Sequence, residues 1–119
     1  MGYRVEDIGY GTARMRLPVE EQHLRPGGTV AGPALMGLAD ATMYAVVMGM
    51  IGPVELAVTT NLTCNFLRRP SMVDIIAEGK ILKLGKRLAV GEVSLYSEGD
   101  PEPVAHVTAT YSIPPDATD

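Results

Sequence analysis

Between Arg25 and Glu55 the chain carries one charged side chain, Asp40. Around it the stretch from Pro33 onward is dense in Ala, Leu, Met and Val until Gly49, Gly52 and Pro53 interrupt it. This pattern predicts a helix of about five turns. Pro33 suits its first turn, where the missing N–H would have had no intrahelical partner. A helix that is apolar on nearly every side has no face to give to water and must be wrapped by something else. With 119 residues there is room for one core, so the wrapper has to be a sheet built from the rest of the same chain.

The remaining segments supply that sheet. Ala13 to Val19 sets Met15 and Leu17 against Arg14 and Arg16, the period of a strand with one face toward solvent. After the helix, Leu56, Val58, Thr60, Leu62, Cys64 and Phe66 share one phase of a long alternating run that ends at "RRP". Val73 to Leu84, Leu88 to Tyr96 and Val104 to Ile113 follow, separated by the turn sequences "LGKR" and "SEGDPEP". The tail "PPDATD" reads as disordered. The expected architecture is α+β: a central helix wrapped by a curved antiparallel sheet of about five strands. It forms one domain over residues 1–119, with its core at about 13–113.

Composition narrows the function classes. A net charge of −4 and a pI near 5.1 argue against a nucleic-acid partner. No apolar run reaches roughly 18 residues free of charge or Gly/Pro breaks, and "GYRVEDIGYG" lacks a signal core, so the expectation is a cytoplasmic protein with no membrane partner. The single cysteine, Cys64, excludes an internal disulfide and reads as a small buried hydrophobe. His23 and His106 lack the spacing of a metal pair, and no metal site is expected.

The candidate chemistry centres on the helix. An ionised carboxylate in an apolar stretch is costly unless it is paired, solvated or used, which makes Asp40 a candidate base or nucleophile. Gly32 stands where free N–H groups and the helix dipole favour developing negative charge, and because Pro33 has no N–H, Gly32 is the natural donor of an oxyanion hole. Eight residues at about 1.5 Å each put Gly32 and Asp40 roughly 12 Å apart, so one carbonyl can use both only if they come from two chains, as in an antiparallel pair of helices across a dimer axis. Thr59 and Thr60 both follow the helix, and alternation alone leaves open which of them meets Asp40. Arg68, Arg69, Lys86 and Arg87 are candidates for binding phosphates.

From about Ala13 to Ile113 the chain resembles the hotdog-fold acyl-CoA thioesterases of the phenylacetate-degradation (PaaI-like) type. In "HLRPGGTVAGPALMGLADATMY", Gly28, Gly32 and "LAD" with Asp40 match that family's loop and central helix in order and spacing. "TTNLTCNFLRRP", "LGKRLAVGEVSLY" and "VAHVTATY" are similar to its later strands. The family's loop His is Ala31 here, its second Gly is Pro33, and its Asn or Gln falls on Arg25. The resemblance implies hydrolysis of an acyl-CoA at a dimer interface, with a dimer or tetramer as the assembly and coenzyme A as part of the substrate rather than a cofactor. It implies Asp40, Gly32 and Thr59 as catalytic positions. Arg25, Tyr44, Arg68, Arg69, Lys86 and Arg87 are the implied substrate contacts. The absent His and amide motivate a rival of the same fold, an acyl-CoA-binding protein with little or no turnover.

Overall fold

The computed structural model describes residues 3–20, 24–25, 29–30, 32–51 and 58–113. In chain order the elements are β1 (Arg4–Gly9), β2 (Thr12–Leu17), β3 (Leu24–Arg25), β4 (Thr29–Val30), α1 (Gly32–Ile51), β5 (Val58–Phe66), β6 (Ile75–Leu84), β7 (Leu88–Ser97) and β8 (Pro103–Ser112). Six strands form one antiparallel sheet in the order β1-β2-β6-β7-β8-β5, and β3 and β4 form a separate antiparallel pair. The α+β expectation holds, with one strand more than the five expected. The added strand is β1, upstream of the core start expected at Ala13. It pairs with β2 through a bulge between Val5 and Asp7, and all six of its residues are exposed. The tail 114–119 lies outside the described residues.

The inner face of the sheet carries Met15 and Leu17 from β2, Ile75 and Ala77 from β6, Val93 and Leu95 from β7, and Val107 and Tyr111 from β8. Against them α1 packs Leu35, Leu38, Ala39, Met43 and Val47. By length and composition alone α1 could cross a membrane. Its burial against the sheet gives the apolar sequence a different use, as the centre of the core.

Two strand glycines set how closely the helix approaches. A Cβ on Gly91 would run into the Met43 side chain and stand 2.8 Å from the Lys80 carbonyl oxygen, and one on Gly79 would stand 2.9 Å from Cγ2 of Thr42. Both positions need a residue without a side chain because the helix occupies that space. Thr42 is buried, and its hydroxyl donates to the Leu38 carbonyl at 2.7 Å within the helix.

Candidate active site

Residues three and four apart on a helix share a face, and Gly37, Asp40, Ala41 and Tyr44 form such a stripe on α1. With Tyr3 they line a cavity of about 420 Å³. Tyr3, from the segment before β1, sets its hydroxyl where a Cβ on Gly37 would be, 2.5 Å away. Burial raises the Tyr3 phenol above its ordinary pKa, and the nearby negative charge of Asp40 adds to the effect.

Asp40 is half-buried in the lining of this cavity. Its Oδ1 accepts hydrogen bonds from Thr59 Oγ1 at 2.7 Å and from Tyr111 Oη at 2.9 Å. The Tyr111 hydroxyl also lies 3.0 Å from the Asp40 carbonyl oxygen. The Tyr111 ring is fully buried and packs edge-on against Tyr44, with centroids 6.2 Å apart. Burial lifts the Tyr111 phenol far above its ordinary range; Thr59 pulls it down, while Asp40 and Tyr44 push it up. It is therefore a neutral donor at any physiological pH. No ion pair to Asp40 is found among the described residues, so its charge is oriented by hydroxyls without being neutralised.

Thr59 reaches Asp40 because β5 contains a bulge. Thr59 pairs with Tyr111 and Asn61 with Thr110, which leaves Thr60 as the extra residue, its hydroxyl donating to the Thr110 carbonyl at 3.2 Å. Leu62 and Cys64 lie opposite Ala109 and Val107, both buried on the helix side, and they pack on the core. The bulge thus puts Thr59 in phase with Leu62 and Cys64 and takes Thr60 out of the phase that strict alternation assigns it. The choice left open by the sequence resolves to Thr59, the position the resemblance implied. Cys64 is half-buried, and burial raises its thiol pKa, in keeping with an inert packing role.

Gly32 begins α1, with the Phe66 ring 3.3 Å from where its Cβ would stand. Phe66 pairs with Ala105 near the start of β8, and Arg68 and Arg69 follow it. Lys86 and Arg87 lie in the β6–β7 turn, where Leu88 pairs with Ser112 at the far end of β8. Seven strand residues at about 3.3 Å separate the two ends, roughly 23 Å. The four basic residues, close in sequence, therefore do not form one cluster within a chain. Arg68 is already engaged by Asp100 at 3.0 Å and Glu102 at 3.4 Å, whereas Arg69, Lys86 and Arg87 are exposed. The Arg25 side chain, Gly28, Ala31 and His23 lie outside the described residues. His106 faces Glu92 at 3.4 Å on the outer side of the sheet, away from Asp40.

Larger depressions of about 470 and 490 Å³ lie on that outer face, among Arg14, Arg16, Glu78 and Glu98. Apart from Asp7, which lines the first, their acids pair with basic groups around them.

Tyr111 and Tyr3 are the site residues that sequence reading missed. A tyrosine on the inward phase of a strand was the available signal for the first, because a buried phenol needs a hydrogen-bond partner.

Comparison with known proteins bears on what this arrangement does. Residues 27–104 match the thioesterase superfamily. A proposed thioesterase from Silicibacter sp. TM1040 is 48% identical and superimposes with a TM-score of 0.88 over 95% of this chain and 79% of that one. A mutant of the phenylacetic acid degradation protein PaaI from Thermus thermophilus is 27% identical with a TM-score of 0.84, over 95% and 94% of the two chains. A proposed esterase of Halobacterium salinarum is 32% identical over 84% of this chain and 69% of its own length.

Proposed function

Because the chain belongs to the thioesterase superfamily, we propose that it hydrolyses acyl-CoA thioesters to a free acid and CoA, as a PaaI-like enzyme working in the cytoplasm. The observation that carries this reading is the Asp40 carboxylate, set in the lining of an apolar-walled cavity and held by two neutral hydroxyls. Two hydroxyl donors fix the orientation of the carboxylate, as a general base or a nucleophile requires. Thr59 positions it and the water it activates.

The oxyanion needs donors that Asp40's own chain does not bring near, since Gly32 lies two turns away along α1. The edge of the sheet supplies the remedy. β5 borders the sheet, spans nine residues without Pro or Lys, and ends in exposed Phe66 and Leu67. An open edge of this kind is a template for a second strand. A second copy paired antiparallel about a two-fold axis sets the Phe66 end of one β5 beside the Thr59 end of the other. Gly32 and Arg69 of one chain then approach Asp40, Lys86 and Arg87 of its neighbour. The helix N-terminus stabilises the developing oxyanion, and the basic residues receive the CoA phosphates from both chains. Tyr44 shapes the acyl pocket. Arg25 is the proposed partner of an acidic acyl group, through a guanidinium that can take a carboxylate by two hydrogen bonds.

The test is thiol release by the purified protein across short, medium, long and aromatic acyl-CoAs, with the assembly followed by light scattering. Turnover by a dimer or tetramer that disappears in Asp40→Asn is expected. An active stable monomer overturns the composite site. Saturable acyl-CoA binding without thiol release overturns the enzyme and favours the binding protein.

A further inference from the structure

The two oxygens of Asp40 are not equivalent. Oδ1 receives both hydroxyls, Thr59 at 2.7 Å and Tyr111 at 2.9 Å, and among the described residues Oδ2 receives none. The Tyr111 hydroxyl lies within reach of Oδ1 and of the carbonyl of the same residue at 3.0 Å. A single phenol thus ties the side chain of Asp40 to its own helix backbone and limits rotation of the carboxylate. The phenol is itself immobile, since its ring is 1% exposed and is buttressed by Tyr44.

We propose that Tyr111 is a positioning residue that locks Oδ1 against β8 and so presents Oδ2 as the reacting oxygen of Asp40. This rests on the hydrolytic reading above. In the water route, Oδ2 takes one proton from water as the water oxygen bonds to the acyl carbon. The C–S bond then breaks, its electron pair leaves with sulfur, and the proton held on Oδ2 passes to the thiolate, giving free acid and CoA thiol. Tyr111 touches no substrate in this scheme. It acts by keeping one oxygen occupied and the other free.

Among the described residues of one chain, the titratable groups facing Asp40 are Tyr3 ahead of β1, Tyr44 on α1 and Tyr111 on β8. Replacing Tyr111 by Phe adds and removes no charged side chain, so a change in the titration of Asp40 reports the lost hydroxyl. The experiment is Tyr111→Phe, which keeps the ring and removes the donor. Two measurements are made on wild type and variant: kcat and KM against pH, and the carbon-13 carboxyl titration of Asp40 by NMR. Loss of a donor to the charged form raises a carboxyl pKa. We expect the Asp40 midpoint and the acid limb of kcat/KM to move up together, with kcat about tenfold lower and KM within about twofold of wild type. An Asp40 titration that Tyr111→Phe leaves unchanged overturns the proposal, whatever happens to turnover. Should wild type release no thiol from any acyl-CoA, the hydrolytic reading fails, and the NMR titration still decides whether Tyr111 holds the carboxylate.

Discussion

Acids lie on both sides of the sheet and are held in opposite ways. On the outer face Arg16 reaches Glu6 at 2.5 Å, Glu98 at 2.6 Å and Asp74 at 2.8 Å, while Arg14 bridges Glu6 and Glu78. Hydrogen bonds from Arg16 and Arg14 hold Glu6 below the usual carboxylate range; the Val19 N–H, then Arg16, does the same for Asp74. On the inner side, among the described residues, the Asp40 carboxylate meets only hydroxyls. Guanidinium groups neutralise the acids they hold and tie strands β1, β2, β6 and β7 together. Hydroxyls fix direction and leave the charge in place. The outer acids are paired along the sheet, and the inner one has no cationic partner among the described residues.

The comparison breaks most plainly at Asp40. Asp40→Asn keeps the shape and removes the charge, and turnover should fall by about two to four orders of magnitude in the thiol-release assay. Retained turnover would mean that the inner acid is structural like the outer ones. Thr59→Ala removes one of the two hydroxyls and keeps the charge, so a smaller loss of about tenfold in kcat is expected. A loss equal to that of Asp40→Asn would show that Thr59 does more than orient. The smallest effect on activity belongs to the outer face, where Arg16→Met should leave kcat within about twofold and lower the thermal midpoint at pH 7. Its pH dependence sharpens the contrast. Asp74 has a folded pKa below its ordinary 3.8, so its contribution is present above that value and is lost as pH falls through the lower folded one. Arg16→Met removes part of that shift, and melting curves of variant and wild type should converge on acidification. Parallel curves would show that Arg16 adds nothing to the pairing of Asp74.

Much of this was legible in the sequence. The uncharged run around Asp40 announces a buried helix, and the turns "LGKR" and "SEGDPEP" fall where β6, β7 and β8 are joined. β1 was not legible because a bulge interrupts its alternation and every residue is exposed, so Val5 and Ile8 give no contrast of faces. Tyr111 was hidden by its own burial, since an inward tyrosine in "VAHVTATY" looks like any core aromatic until its hydroxyl is traced to Asp40. The basic residues stand apart for a geometric reason that their sequence spacing does not show. Arg69 and Lys86 are near in sequence, but the ten residues of β6 run between them and carry the chain along the sheet.

The extra residue in β5 has a consequence for how this chain tolerates change in length. Thr60 separates two stretches that obey different constraints: Thr59 answers to Asp40, while Leu62, Cys64 and Phe66 answer to the core and to the start of α1. With one residue in excess between them, both stretches satisfy their constraints at once. Deleting it would leave Thr59, Asn61 and Leu62 opposite Tyr111, Thr110 and Ala109 in plain alternation, with the threonine still turned toward Asp40 and the side chains beyond it still on the core face. An edit that shortens the strand by one residue at this point would then spare the carboxylate, because the bulge holds the one residue that the ladder does not use.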